Sequence, residues 1–324
     1  MRRLIRLSVT AAAAALAAIA VAAPASAASS AAKPAHVHSM AKFNPFQRPG
    51  GGGGGPHVNN LTYHGGPVET STSVYLIYWG SAWSTGFTTG GYTSAKAQTY
   101  VHDFFTNVGG SNWIGTDTQY CQGAASGATS CGSGTTHVGN PTGQLKGVWV
   151  DSATNPPANN QIQDSNLANE AVRSITVHGF PYDANATYLV FTPTGDSESG
   201  FAANGGGWCA WHSDTSSSVG TVNFGYIPYM PDAGGSCGVD FINSNDTYGH
   251  GYFDGFSVVA GHEYEEAQTD PHLNAWYDSR GSENADKCAW NALSGNTALG
   301  TTNYWAVQPV WSNAIGGCAA VSST

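Results

Sequence analysis

The sequence predicts a secreted α/β (α+β) domain, a mixed β-sheet with packed helices and disulfide-stapled loops. Three observations predict it. Strand-like runs alternate with segments of helical spacing along the first two-thirds of the chain. Six cysteines follow an N-terminal leader. A chain poor in charge gathers its glutamates beside one histidine.

The strand and helix signals come in order. Val74-Tyr75-Leu76-Ile77-Tyr78-Trp79 is an unbroken β-branched and aromatic run, as expected of a strand buried on both faces. Ser94 is a candidate cap for a helix whose apolar residues fall at Ala97, Tyr100, Val101, Phe104, Phe105 and Val108. Residues 115–140 are rich in Gly, Ser and Thr and carry two cysteines, which predicts a stapled loop. Gly147 to Val150 is a short strand. Residues 161–177 suit a helix with Gly179 as its stop. Thr187 to Thr192 and Thr221 to Tyr229 read as two further strands. Asp254 is a candidate cap for a helix running to Thr269, ended by Asp270-Pro271. Tyr304 to Trp311 is expected as a late strand.

The chain is divided by composition. Arg2, Arg3 and Arg6 precede an alanine-rich apolar run, and Ala25-Ser26-Ala27 is a small-x-small cleavage site. Residues 1–27 therefore read as a secretory signal peptide. Residues 28–57 are Ala, Ser, Pro and Gly-rich and end near the run Gly50 to Gly55. They are expected to be a linker or propeptide with no means of forming a core. Residues 58–324 would form one globular secreted domain.

Charge excludes some partners. The formal charge is −10, and loss of the three leader arginines makes it −13 (−10 − 3). No basic cluster is present, which argues against nucleic acid and anionic membrane as partners. After the leader no run approaches the ~18 apolar residues that span a bilayer. The even cysteine count behind a signal peptide predicts three disulfides, with the sequential pairing 121–131, 209–237 and 288–318 preferred because each closes a local loop.

Charged residues are only 10% of the chain, against about 25% in ordinary globular proteins. Of seven glutamates, four lie between 263 and 283. The segment Gly261-His262-Glu263-Tyr264-Glu265-Glu266-Ala267 carries H-E-x-x-E on a predicted helix. Residues i and i+4 share a helix face, so His262 and Glu266 can address one ion, and imidazole with carboxylate suits Zn²⁺. Glu263 is then placed as general base on a metal-activated water. This is the zincin-like pattern with Glu in place of the second His. A third ligand is needed. Glu283 is preferred, then Asp286, 17 and 20 residues beyond Glu266. His272 comes last, because Pro271 intervenes and the glycine that bends such a chain is Thr269 here. Two carboxylates and one imidazole would also suit the harder Ca²⁺ or Mn²⁺. The plainer alternative is a solvated acidic helix face, but the preceding Phe256 to Gly261 is apolar.

Other candidates read more weakly. His250 suits a loop and His212 a packing role beside a disulfide. Asp196 and Glu198 form at best a poor glycosidase pair. No G-x-S-x-G elbow is present, which disfavours an α/β-hydrolase serine.

Two stretches resemble the EXORDIUM/phosphate-induced protein family. Leu61-Thr62-Tyr63-His64-Gly65-Gly66-Pro67-Val68, followed by Val74 to Gly80, is similar to its opening. His262 to Ala267, Asp270-Pro271, Asn274-Ala275-Trp276-Tyr277 and Glu283 to Cys288 are similar to its C-terminal signature. The resemblance implies a secreted protein of one domain, connected with growth and the extracellular matrix, and leaves catalysis open. The expected function is a secreted zinc-dependent metallohydrolase, a peptidase acting on an extracellular polypeptide. The alternative is a non-catalytic EXORDIUM-like protein with a structural ion that binds a cell-wall polymer.

Overall fold

Six strands form the central sheet of the computed structural model, which describes residues 38–41, 59–244, 250–291, 296–300 and 303–320. They are β1 (His38–Ala41), β2 (Ser73–Trp79), β3 (Leu145–Asp151), β4 (Ala186–Phe191), β5 (Trp208–Ser217) and β6 (Gly220–Ile227). Their order across the sheet is β1-β5-β6-β4-β2-β3. The four strands β6, β4, β2 and β3 run parallel to one another, β5 pairs antiparallel with β6, and β1 pairs antiparallel with β5 at the edge. The mixed α/β class expected from sequence is what the chain forms.

The parallel pairing explains the composition of β2. It lies between two strands and beneath helices on both faces, and all seven of its residues are buried. Val74, Leu76 and Tyr78 face one layer. Helix α1 (Ser94–Val108) packs there, together with the later helices. Tyr75, Ile77 and Trp79 face the other, where helix α2 (Asp164–Arg173) supplies Leu167 and Ala171. Parallel strands need crossovers, so β2-α1-β3 covers one face and β3-α2-β4 the other.

Some boundaries shift for local reasons. The α1 cap is Thr93, whose hydroxyl accepts from Lys96 N at 3.3 Å, one residue before the expected Ser94. Asp254 does not start its helix. Its carboxylate caps a turn instead, accepting from Ile242 N and Asn243 N at 2.8 and 2.7 Å. The helical stretch begins earlier, as α3 (His250–Gly255), passes through a π-helical turn at Phe256–Ala260 and continues as α4 (Gly261–Thr269). The late strand is split into Asn303–Trp305 and Val310–Ser312, which join different hairpins on either side of Pro309.

Residues 28–57 are not wholly the coreless linker expected. Residues 38–41 pair with β5, and Met40 is fully buried. Four residues cannot build a core, but they can borrow one by extending an existing sheet edge. The leader 1–27 and the glycine run lie outside the described residues.

The three disulfides form in the sequential pairing: Cys121–Cys131, Cys209–Cys237 and Cys288–Cys318. Such bonds persist in oxidising compartments and are compatible with an extracellular protein. Among the described residues no helix is long and apolar enough to cross a membrane.

Glu198 is buried and accepts from the Trp211 indole at 2.9 Å. Burial pushes its carboxyl up to about 8, with the indole bond opposing. A raised folded value favours the protonated form. The stability it confers is complete below the ordinary value near 4.5 and is lost as pH rises through about 8. Glu198→Gln is therefore expected to flatten the loss of stability between pH 5 and 8. The relief amounts to at most ~1.4 kcal/mol per pH unit, read by denaturant unfolding across that range.

Candidate metal centre

Helix α4 runs through the interior, and all nine of its residues are buried. Its approach is close at Gly261, where a Cβ would lie 2.8 Å from the Trp113 ring and 3.2 Å from Phe104. That contact seats the first turn of α4 against the α1 layer. One face of the helix then presents His262 and Glu266, as the i, i+4 spacing requires. His262 Nε2 lies 3.0 Å from Glu266 Oε1.

A second element brings carboxylates to this face. Asp278 closes the turn that follows Tyr277, accepting from Arg280 N at 2.8 Å and from Ser282 N at 3.1 Å. The chain then returns along α4. Asp286 N donates to Glu266 Oε1 at 2.9 Å, and Glu283 N donates to Asp286 Oδ2 at 3.3 Å. Asp286 Oδ1 lies 3.7 Å from His262 Nε2.

The third contributor is β5. Alternation along the strand turns Ala210 and His212 away from Trp211, which packs beside α2. His212 Nε2 lies 3.1 Å from Glu283 Oε2 and 3.6 Å from Glu266 Oε2. Glu266 is thus flanked by two imidazoles. Ligand atoms of His262, Glu266 and Asp286 lie within 4.8 Å of one another, and so do those of His212, Glu263 and Glu266.

Burial sets the electrostatics. His262, Glu263, Glu266 and Glu283 have no exposed surface, and the Asp286 side chain is 24% exposed. Burial pushes the His262 imidazole below its usual range, which keeps a nitrogen lone pair available. Burial first, then repulsion from Glu266 and Asp286, holds the Glu263 carboxyl well above the usual carboxylate range. The same two causes, burial and Glu266, raise Asp286 to about 7. Carboxyls that raise one another in a dry site are what a cation would relieve.

The donor set fits a divalent metal ion. His262 Nε2 is buried and makes no hydrogen bond among the described residues, although it points at two carboxylates. The Gln308 side-chain amide sits 3.0 Å from the other ring nitrogen, Nδ1, and orients the ring. Such an outer partner is typical of a ligating histidine. Imidazole and carboxylate donors in one cluster are within the range of Zn²⁺, and the oxygen-rich part is also within that of Ca²⁺.

The structure brings together His262, Glu263, Glu266, Glu283 and Asp286, all singled out from sequence. Asp286 joins His262 and Glu266 directly, whereas the Glu283 carboxylate meets His212. His272 stands apart, 3.0 Å from Asp214. Glu265 points elsewhere, toward Asp117, whose carboxylate accepts from Asn284 Nδ2 at 2.8 Å. His212, expected from sequence to pack beside a disulfide, is buried and also joins the cluster. The signal that finds it is its alternation with Trp211, which depends on a strand at 208–217 that the sequence pattern does not announce. The chain matches no protein-family model, no curated protein and no solved structure.

Proposed function

We propose that the cluster holds Zn²⁺ and that the protein is a secreted metal-dependent hydrolase of extracellular polypeptides. The observation that carries the reading is the convergence of two imidazoles and four carboxyls, nearly all fully buried, on one helix, one loop and the antiparallel edge of the sheet. His262, Glu266 and Asp286 would hold the ion, with His212 and Glu283 beside them. When bound, the ion supplies Lewis acidity to a carbonyl oxygen and raises the acidity of water. Glu263 takes up the proton of the attacking water and delivers it to the leaving amine. Its Oε1 is engaged by Met40 N at 3.3 Å, while Oε2 makes no hydrogen bond among the described residues and is the atom placed to receive the proton.

The reading is tested by hydrolysis of a denatured protein substrate by the purified, zinc-loaded chain, with and without a chelator. Chelator-sensitive cleavage supports it, and no cleavage by a metal-loaded protein removes it. His212→Ala is expected to weaken zinc about 10–100-fold, measured by competition with a chromophoric chelator. An unchanged affinity would place His212 outside the site.

Near-complete burial of the cluster favours a second reading, in which the ion is structural and ties α4 to the 278–288 loop. The resemblance to the EXORDIUM family supports it, and a cell-wall polymer is then the partner. Under that reading chelation destabilises the protein and no variant changes a hydrolysis rate.

A further inference from the structure

We propose that β1 is a built-in inhibitory strand, seated on the sheet edge where an extended polypeptide substrate pairs. The proposal rests on the peptidase reading and deepens it, by naming how substrate binds and how access is controlled. Three observations carry it. Residues 38–41 pair antiparallel with β5, in the register His38 with His212, Ser39 with Trp211 and Met40 with Ala210. They therefore lie along the strand that carries His212. The backbone N–H of Met40 is turned to the general base itself and donates to Glu263 Oε1. The Trp290 indole fastens the strand's far end, donating to Ala41 O at 2.6 Å.

An open sheet edge offers unpaired N–H and C=O groups to any extended chain, whatever its side chains. The β5 edge is such a template, and it borders the cluster. β1 fills it as a substrate would, with main-chain pairing along β5 and a backbone amide at Glu263. The burial that favours a structural ion thus has a second cause, because part of the cover is this strand. Among the described residues four of this segment pair with β5, a short contact that the covalent link to the domain would reinforce. The 17 residues 42–58 join it to the domain and include Gly50 to Gly55. Covalent linkage through a chain of this length sets an effective concentration on the order of millimolar. Hydrolysis of one peptide bond in the tether, adding water across it, would let the strand leave by dilution.

The test uses the full mature chain with a site-specific protease sequence placed within Gly50–Gly55, folded first and then cut. A fluorescent peptide spanning residues 36–43 is titrated into cut and uncut protein at micromolar concentration, and anisotropy is read. The peptide is expected to bind the cut, dialysed form at least tenfold more tightly than the uncut form. Met40→Pro in the uncut chain, which removes the amide facing Glu263, is expected to bind the peptide as the cut form does. Near-ultraviolet circular dichroism checks that it is folded. Equal binding by cut and uncut protein, or binding by neither, overturns the proposal. Hydrolysis is measured alongside. If the cut form gains peptide binding but no metal-loaded form cleaves protein, the peptidase reading fails while the docking edge stands.

Discussion

Glu263→Gln is expected to lower the hydrolysis rate by about 10²–10⁴-fold while leaving metal content unchanged. The two side chains are nearly isosteric, and a glutamine Oε1 can still accept from Met40 N. What is lost is the capacity to take a proton at Oε2. Under the proposed role Glu263 meets the reacting water and not the remote parts of a substrate, so the loss is expected on kcat with KM little changed. The fall corresponds to roughly 3–5 kcal/mol of transition-state stabilisation. Steady-state kinetics on form freed of β1, with metal content measured on the same sample, checks it. A variant that cleaves as well as wild type would remove Glu263 from the chemistry.

Metal removal is the second large effect. A ligand present at 1,000 times its dissociation constant stabilises the folded state by about 4 kcal/mol. For a domain of this size that is a melting shift on the order of 10 °C. Stripping with a chelator is expected to lower Tm by that amount, and Zn²⁺ to restore it. Glu266→Gln is expected to act with opposite signs in the two states. Glu266 raises both Glu263 and Asp286 by repulsion, so its neutralisation relieves the metal-free protein. It also removes the carboxylate shared by both groups of metal-capable residues, so the zinc-dependent increment disappears. Thermal unfolding of both proteins, stripped and loaded, reads all four values. An increment that survives in Glu266→Gln would exclude Glu266 as a ligand.

The grouping of residues on α4 is more legible in the sequence than the frame around it. His262, Glu263 and Glu266 are legible because their placement together follows from helical spacing within five residues. Glu283 and Asp286 were legible as nearby carboxylates, but not which of them meets His262, since that depends on the turn closed by Asp278. β5 was missed altogether. Its second half, Ser213 to Ser217, is polar and reads as loop, and its strand state comes from pairing with β6. With it went His212, whose partners lie 54 and 71 residues away. Met40 was illegible for a similar reason. Nothing in a composition of Ala, Pro and Gly indicates that four residues complete a sheet edge built much later in the chain. The Asp254 cap was misread because a carboxylate can serve either the helix that follows it or a neighbouring turn, and here the 241–243 turn supplied its donors.

The most direct measurement is the metal content of the folded mature protein, set beside that of His262→Ala and Glu266→Gln, by elemental mass spectrometry after dialysis against zinc. One tightly held zinc per wild-type chain, and its loss from both variants, is the expected result. Wild type that retains no metal, or variants that retain as much as wild type, would contradict a metal centre built from His262 and Glu266.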